Sequence, residues 1–229
     1  MPSRAEAERL QAGQGVIAGL VRDALADLVG SLDLSRPEAS RDLLLQVVPT
    51  LVQQYGEDAA TVAADWYDEQ RAAARAPGRY RARIQRSPYL DAVDGTVRRA
   101  SAGLFTQDSA AVLTALSGPV GKYVLAAGRQ TIITSTDRDP AASGWQRVTR
   151  TGACDFCRML AGRGGVYREA TVHFASHDDC NCAAVPSWDP DAPEVDVAQY
   201  QASQRTTRMT PRQREQHNAR IRAWIAEHL

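Results

Sequence analysis

The sequence predicts a mainly α protein of the α+β kind: a helical N-terminal region, a small cysteine-bearing α/β module, and a C-terminal helix. Three observations carry this. Apolar residues recur at three- and four-residue steps through much of the first 135 positions. All four cysteines fall between 154 and 182, in a stretch with few large apolar side chains. Finally, Thr210-Pro211-Arg212-Gln213 has the form of a capping sequence and opens a last helical segment. The corresponding divisions are 1–135, 144–188 and 189–229.

Taken in order, the first stripe runs from Val16 through Ile17, Leu20, Val21, Ala24, Leu25, Leu28 and Leu32. Ser35, with Pro37 in the first turn and Glu38 three residues on, reads as the capping box of a second helix. Its stripe is Leu44, Val47, Val48, Leu51, Val52 and Tyr55, with Pro49 as a kink. A third segment after Gly56 carries Val62, Trp66 and Tyr67, read as core residues. Ala76-Pro77-Gly78 is a break. Helices follow over about 88–104 and 108–134, the latter divided at Gly118-Pro119. Trp145–Val148 and Thr171–Phe174 read as short strands, and Asp189–Pro193 as a Pro/Asp linker. In the final helix, Ile221, Trp224, Ile225 and Leu229 form the expected buried side.

The formal net charge is zero, which argues against a general polyanion binder. The distribution is uneven, however. Residues 1–70 carry twelve acids against five arginines, a formal −7. Residues 71–86 carry six arginines (Arg71, Arg75, Arg79, Arg81, Arg83, Arg86) and no acid. That run admits a nucleic-acid reading through phosphate contacts, against the plainer reading of a solvated face or a surface for acidic protein. The opening MPSRAEAERL is polar and mixed in charge, unlike a secretory signal, and no apolar run nears the ~20 residues that span a bilayer. The expected setting is therefore a reducing compartment, where paired cysteines more often hold a metal than a disulfide.

Cys154 and Cys157 form a CxxC pair, and Cys180 and Cys182 a CxC pair. Each short spacing turns two sulfurs toward one point. The two pairs together can close a tetrahedron around one zinc ion. With Phe156, Met159, Leu160, Val166, Tyr167, Val172 and Phe174 as its main apolar content, the module has little core of its own, and a metal would supply the missing cross-link. His177 is a fifth candidate ligand. The all-sulfur set is preferred; the mixed set replaces Cys180 or Cys182 with His177, whose ring would then need an acceptor such as Asp178 or Asp179. A surplus of ligands argues for a closed, structural zinc site rather than a catalytic one. His173 reads as a packed or exposed histidine.

No constellation names a catalytic residue. Ser176 and His177 are adjacent in sequence, which rarely makes a nucleophile–base pair, and no GxSxG elbow is present. Asp91 and Asp94 read as capping or solvent-facing. Arg163-Gly164-Gly165 lacks a phosphate-cradling pattern.

Cys154-Asp-Phe-Cys157, Leu160-Ala-Gly-Arg163-Gly164, Tyr167, and His177-Asp-Asp-Cys180-Asn-Cys182 followed by Pro186 resemble the cysteine/histidine module of phage Mu F-like minor head proteins, in the form found in actinobacteriophages. Leu51-Val-Gln-Gln-Tyr-Gly56 and Ala64-Asp-Trp-Tyr67 resemble their helical leader. The resemblance implies a structural minor capsid protein, partnered by the phage portal or coat protein and acting in head assembly or DNA packaging and delivery. It also implies location inside the virion head, with host cytoplasm during assembly. The charge asymmetry adds an expected contact with packaged DNA through Arg71–Arg86, and the lack of a long apolar run adds that no membrane is a partner. Alternatives are a capsid maturation protease and a zinc-containing nucleic-acid-binding module. One departure is Asp178, where many relatives have proline after the histidine, leaving the orientation of His177 open.

Overall fold

Ser3 starts the first helix of the computed structural model, which describes residues 1–168, 174–195 and 209–228. The Ser3 side chain accepts from the Glu6 amide, and the Glu6 carboxylate accepts from the Ser3 amide, a complete capping box that opens α1 (Arg4–Gly30). Ile17, Val21, Leu25 and Val29 of its stripe are buried, whereas Leu20 is half exposed.

Helix α2 (Pro37–Ala73) begins differently from the sequence expectation. Arg36 holds the cap position, and Ser35 is drawn back instead, its amide and hydroxyl both donating to Asp33. The helix then runs unbroken through Pro49 and Gly56, so the second and third segments are one element. Burial of Leu44, Val48, Val52, Ala59, Ala63 and Tyr67 along one face offsets the local cost of the proline. The break after Ala73 falls where Ala76-Pro77-Gly78 predicts, with Gly78 at φ +71°.

After the arginine-bearing segment, a 3₁₀ turn at Leu90–Ala92 leads into the short helix α3 (Val93–Ala100), and a second 3₁₀ turn follows at Ser101–Thr106. Helix α4 (Ser109–Arg138) is capped by Asp108, which accepts from the Ala111 amide, and it passes through Gly118-Pro119 without division. Among the described residues it is the one helix long and apolar enough to cross a membrane. This is more apolar than the sequence reading allowed. Here its Val112, Leu116, Val120, Val124, Ile132 and Ile133 are buried against the other helices and the module. At Gly128 the packing leaves no room for a side chain: a Cβ would overlap Gln14 of α1 and meet the Ala59 carbonyl of α2 at 2.9 Å.

The module adds β1 (Gly144–Val148), α5 (Asp155–Ala161) and β2 (Ala183–Ser187). β1 and β2 pair antiparallel, with Gly144 opposite Ser187 and Val148 opposite Ala183. The sequence reading found β1 but not β2. Its other proposed strand, 171–174, lies largely outside the described residues, as does His173. Trp145 also bridges Tyr167 through backbone bonds in both directions, its ring stacked on Tyr167 at 4.6 Å between centroids. Gly144, at φ +143°, makes this approach possible, since a Cβ there would lie 2.7 Å from the Tyr167 carbonyl. The Pro/Asp stretch does more than connect: Val166 donates to the Pro193 carbonyl and Val195 to that of Val166, at 2.7 and 2.9 Å.

Among the described residues the architecture is thus mainly α with one two-stranded sheet. The module's buried residues Trp145, Cys157, Tyr167, Phe174, Cys180 and Val185 join one core with Ala7 and Leu10 of α1, Trp66 and Tyr67 of α2, and Ile132 of α4. A second core occupies the helical body. Helix α6 (Pro211–His228) has the predicted start, with Thr210 and Gln213 exchanging hydrogen bonds. Ile221, expected on its buried side, is exposed; the side chains of Trp224, Ile225 and Leu229 lie outside the described residues.

Candidate metal centre

Two pieces of local structure bring the cysteines together. Cys154 takes the N-cap position of α5, so that Cys157 follows one turn later on the buried face of that helix. Cys180 and Cys182 sit just ahead of β2, both buried. The antiparallel pairing of β2 with β1, the strand that precedes α5, carries the CxC pair to the CxxC pair.

The geometry centres on Cys157. Its sulfur lies 3.6 Å from that of Cys180 and 3.5 Å from His177 Nε2, and His177 Nε2 is 3.0 Å from Cys154 Sγ. Two triads of potential ligands, Cys154–Cys157–His177 and Cys157–Cys180–Cys182, share Cys157. They could hold a metal ion. Sulfurs bound at about 2.3 Å to one tetrahedral ion sit roughly 3.8 Å apart, close to the Cys157–Cys180 separation. All four cysteines are unbridged, and that separation is far beyond the ~2.05 Å of a disulfide.

The orientation of His177 is compatible with metal binding. Nδ1 lies 2.5 Å from the Asp178 carbonyl. A ring that donates Nδ1–H there turns the lone pair of Nε2 toward Cys154 and Cys157, the usual arrangement of a metal-binding imidazole. The acceptor is Asp178, one of the two residues named from the sequence, and it acts through its backbone carbonyl. The carboxylates of Asp178 and Asp179 instead pin the loop to the helical body, Asp178 to Lys122 at 2.8 Å and Asp179 to Arg22 at 3.1 Å.

Crowding of the sulfurs distorts their acidity. Hydrogen bonds to Cys180 and Cys182, together with burial, push the Cys157 thiol far up. Hydrogen bonds from Cys157 and Cys182 outweigh burial and push Cys180 far down. Neighbouring thiolates cannot all ionise without a cation between them, and a divalent ion would let them do so. For His177, burial opposes the charge, but the Asp178 carbonyl and Cys154 outweigh it and raise the pKa.

Around this cluster stand residues that the sequence reading missed. Arg129 of α4 is 2% exposed; its Nε donates to the Cys182 carbonyl at 3.0 Å and its Nη2 to the Cys180 carbonyl. Arg147 of β1, also buried, donates to the Ala175 carbonyl at 2.5 Å and places Nη1 3.9 Å from Cys157 Sγ. Both guanidiniums lie over the ring of Phe174, that of Arg129 at 4.9 Å and that of Arg147 at 3.7 Å from its centroid. A single charge within the apolar run Val124-Leu-Ala-Ala-Gly-Arg129-Gln-Thr-Ile-Ile133 was the available signal.

The other candidates separate from this centre. Ser176 Oγ is buried and has no hydrogen-bond partner among the described residues, so His177 does not activate it. Asp91 and Asp94 are exposed. Arg71, counted with the basic run, points inward and pairs with Asp139 at 2.8 Å. Its charge is consumed by the core and is not available to a phosphate. Arg75, Arg79, Arg81, Arg83 and Arg86 are exposed.

The family model described as VG15 protein matches residues 1–206, a span that includes the helical body and all five candidate ligands. The chain belongs to the VG15 family. A curated relative, the Gene 15 protein of Mycobacterium phage D29, is 33% identical over 132 residues, covering 56% of this chain and 48% of that protein. The chain thus spans about half the length of the curated relative it matches. No solved structure matches the chain. The VG15 match and this relative make it a member of a phage protein family.

Proposed function

We propose that this VG15-family chain is a structural minor capsid protein of a tailed phage, of the Mu F-like kind. In this reading it is associated with the portal and acts in head assembly or DNA packaging and delivery. One zinc ion fastens its C-terminal module. The observation that carries the structural part is the convergence of four other potential ligands on Cys157, at the point where the module joins the core of α1, α2 and α4. A bound ion there would tie β2 to α5 and so hold the module closed against the helices. The phage setting is supported by the family match and the mycobacteriophage relative. His177, aimed by the Asp178 carbonyl, joins Cys154, Cys157 and Cys180 as the favoured ligand set. Cys182 is then the neighbouring fourth thiol, left outside the set.

Elemental analysis of the purified chain tests the metal: one zinc per chain is expected, lost in Cys157→Ser and retained in Cys182→Ser. A metal-free protein that melts at the same temperature with and without chelator would rule the zinc out. Capture of the portal protein encoded by the same phage tests the setting, and no capture at low salt would count against portal association.

A further inference from the structure

Arg129 and Arg147 are both buried, yet among the described residues neither pairs with a carboxylate. Their partners are backbone carbonyls beside the cysteines, the Phe174 ring, and Cys157 Sγ. Among the described residues, Arg129 Nη1 has no partner at all. Stacking on an aromatic ring offsets only part of what it costs to bury a full charge, and neutral carbonyls do not cancel it. Two cations in one apolar region also repel each other. Such an arrangement is stable only if an anion lies nearby, and the cysteine sulfurs are the groups in position to supply it.

We infer that Arg129 and Arg147 are the built-in counter-charge of a metal–thiolate centre, positioning residues that make the bound, ionised state of the cysteines favourable inside the protein. The inference rests on the metal reading given above. A divalent ion with three thiolates and one imidazole leaves one net negative charge, and with four thiolates it leaves two; either is anionic. Arg147 acts on Cys157 from the β1 side. Arg129 acts from α4 and holds the Cys180 and Cys182 carbonyls, so the two arginines reach the centre from different elements, both in contact with the Phe174 ring. The pair also links metal binding to the helical body, because Arg129 belongs to its central helix.

The test compares Zn²⁺ affinity, by competition with a chromophoric chelator, in the full chain and in Arg147→Gln, Arg147→Lys, Arg129→Gln and Arg129→Lys. The glutamine variants should bind zinc at least tenfold more weakly, in line with the effect of groups that support metal ligands. The lysine variants should recover part of the loss. With Co²⁺ in place of zinc, the sulfur-to-metal charge-transfer band should shift in Arg147→Gln, which a change in folding stability alone would not produce. Should Arg129→Gln fail to fold, the Arg147 pair decides. Folded glutamine variants with wild-type affinity and an unshifted cobalt band would overturn the counter-charge role. A wild-type chain that takes up neither ion would instead overturn the metal reading itself.

Discussion

Asp139 is buried with both carboxylate oxygens engaged. Arg71 Nε and Nη2, the Tyr67 hydroxyl, Trp188 Nε1 and the Ala141 amide all donate to it. These bonds join the end of α2, the end of α4 and the residue after β2 at one point. Burial would raise its pKa, but the Arg71, Trp188 and Ala141 hydrogen bonds outweigh burial and hold it below the ordinary aspartate value of 3.8. Its contribution to stability is therefore complete above that value and is lost as pH falls through the lower folded-state value. Arg71→Ala leaves a carboxylate buried and unpaired, and should cost about 3–5 kcal/mol in urea denaturation. Asp139→Asn should remove part of the acid loss: its stability should fall less steeply than wild type below about pH 4. Equal slopes in the two proteins would show that Asp139 does not carry the acid response. The inward turn of Arg71 could not be read from a run of six arginines, because its partner is 68 residues away.

At the scale of elements, the crossing of α1, α2 and α4 depends on small residues. Gly128 faces the Ala59 backbone carbonyl, which cannot move aside as a long side chain can. Gly128→Ala should therefore destabilise the protein, by roughly 1–3 kcal/mol, despite the better helix propensity of alanine. At Gly19 of α1 a Cβ would meet nothing within 4 Å, so Gly19→Ala should gain about 0.5–1 kcal/mol. Opposite signs in thermal melts would confirm the crossing, and equal signs would refute it. Helices were legible from apolar period over 108–134 and from the capping sequence at Thr210. Boundaries failed where tertiary burial overrode a local breaker: Pro49, Gly56 and Pro119 all lie inside continuous helices. β2 was hidden because Ala183–Ser187 is buried along its whole length and shows no alternation. The candidate ligands were legible from spacing alone. The guanidiniums beside them were not, since only the folded chain brings α4 to the CxC turn.

For the molecule as a whole, zero net charge conceals an exposed cationic strip between α2 and α3. Tyr80 packs on Tyr67 at 6.0 Å, the Ala82 amide donates to Asp68, and the Gln85 amide donates to Thr131. These anchors leave Arg79, Arg81, Arg83 and Arg86 facing solvent on a segment fixed to the helices. Arg81 is only loosely tied, 3.6 Å from Asp68 and 90% exposed, so the strip keeps most of its charge for a partner. If that partner is packaged DNA, binding must be local and must run against the acidic N-terminal third, which makes it weak and strongly salt-dependent. Each arginine that meets a phosphate contributes roughly 0.9 to the slope of log affinity against log salt. Arg79→Gln, Arg81→Gln and Arg83→Gln together should therefore flatten that slope by roughly 3 on duplex DNA of mixed sequence, with little dependence on which sequence is used. The substitutions lie outside both buried cores, so melting temperature should hold while affinity falls. An unchanged slope would assign the strip to an acidic protein surface or to solvent, and capture of the portal protein by the same triple variant would then separate those two outcomes.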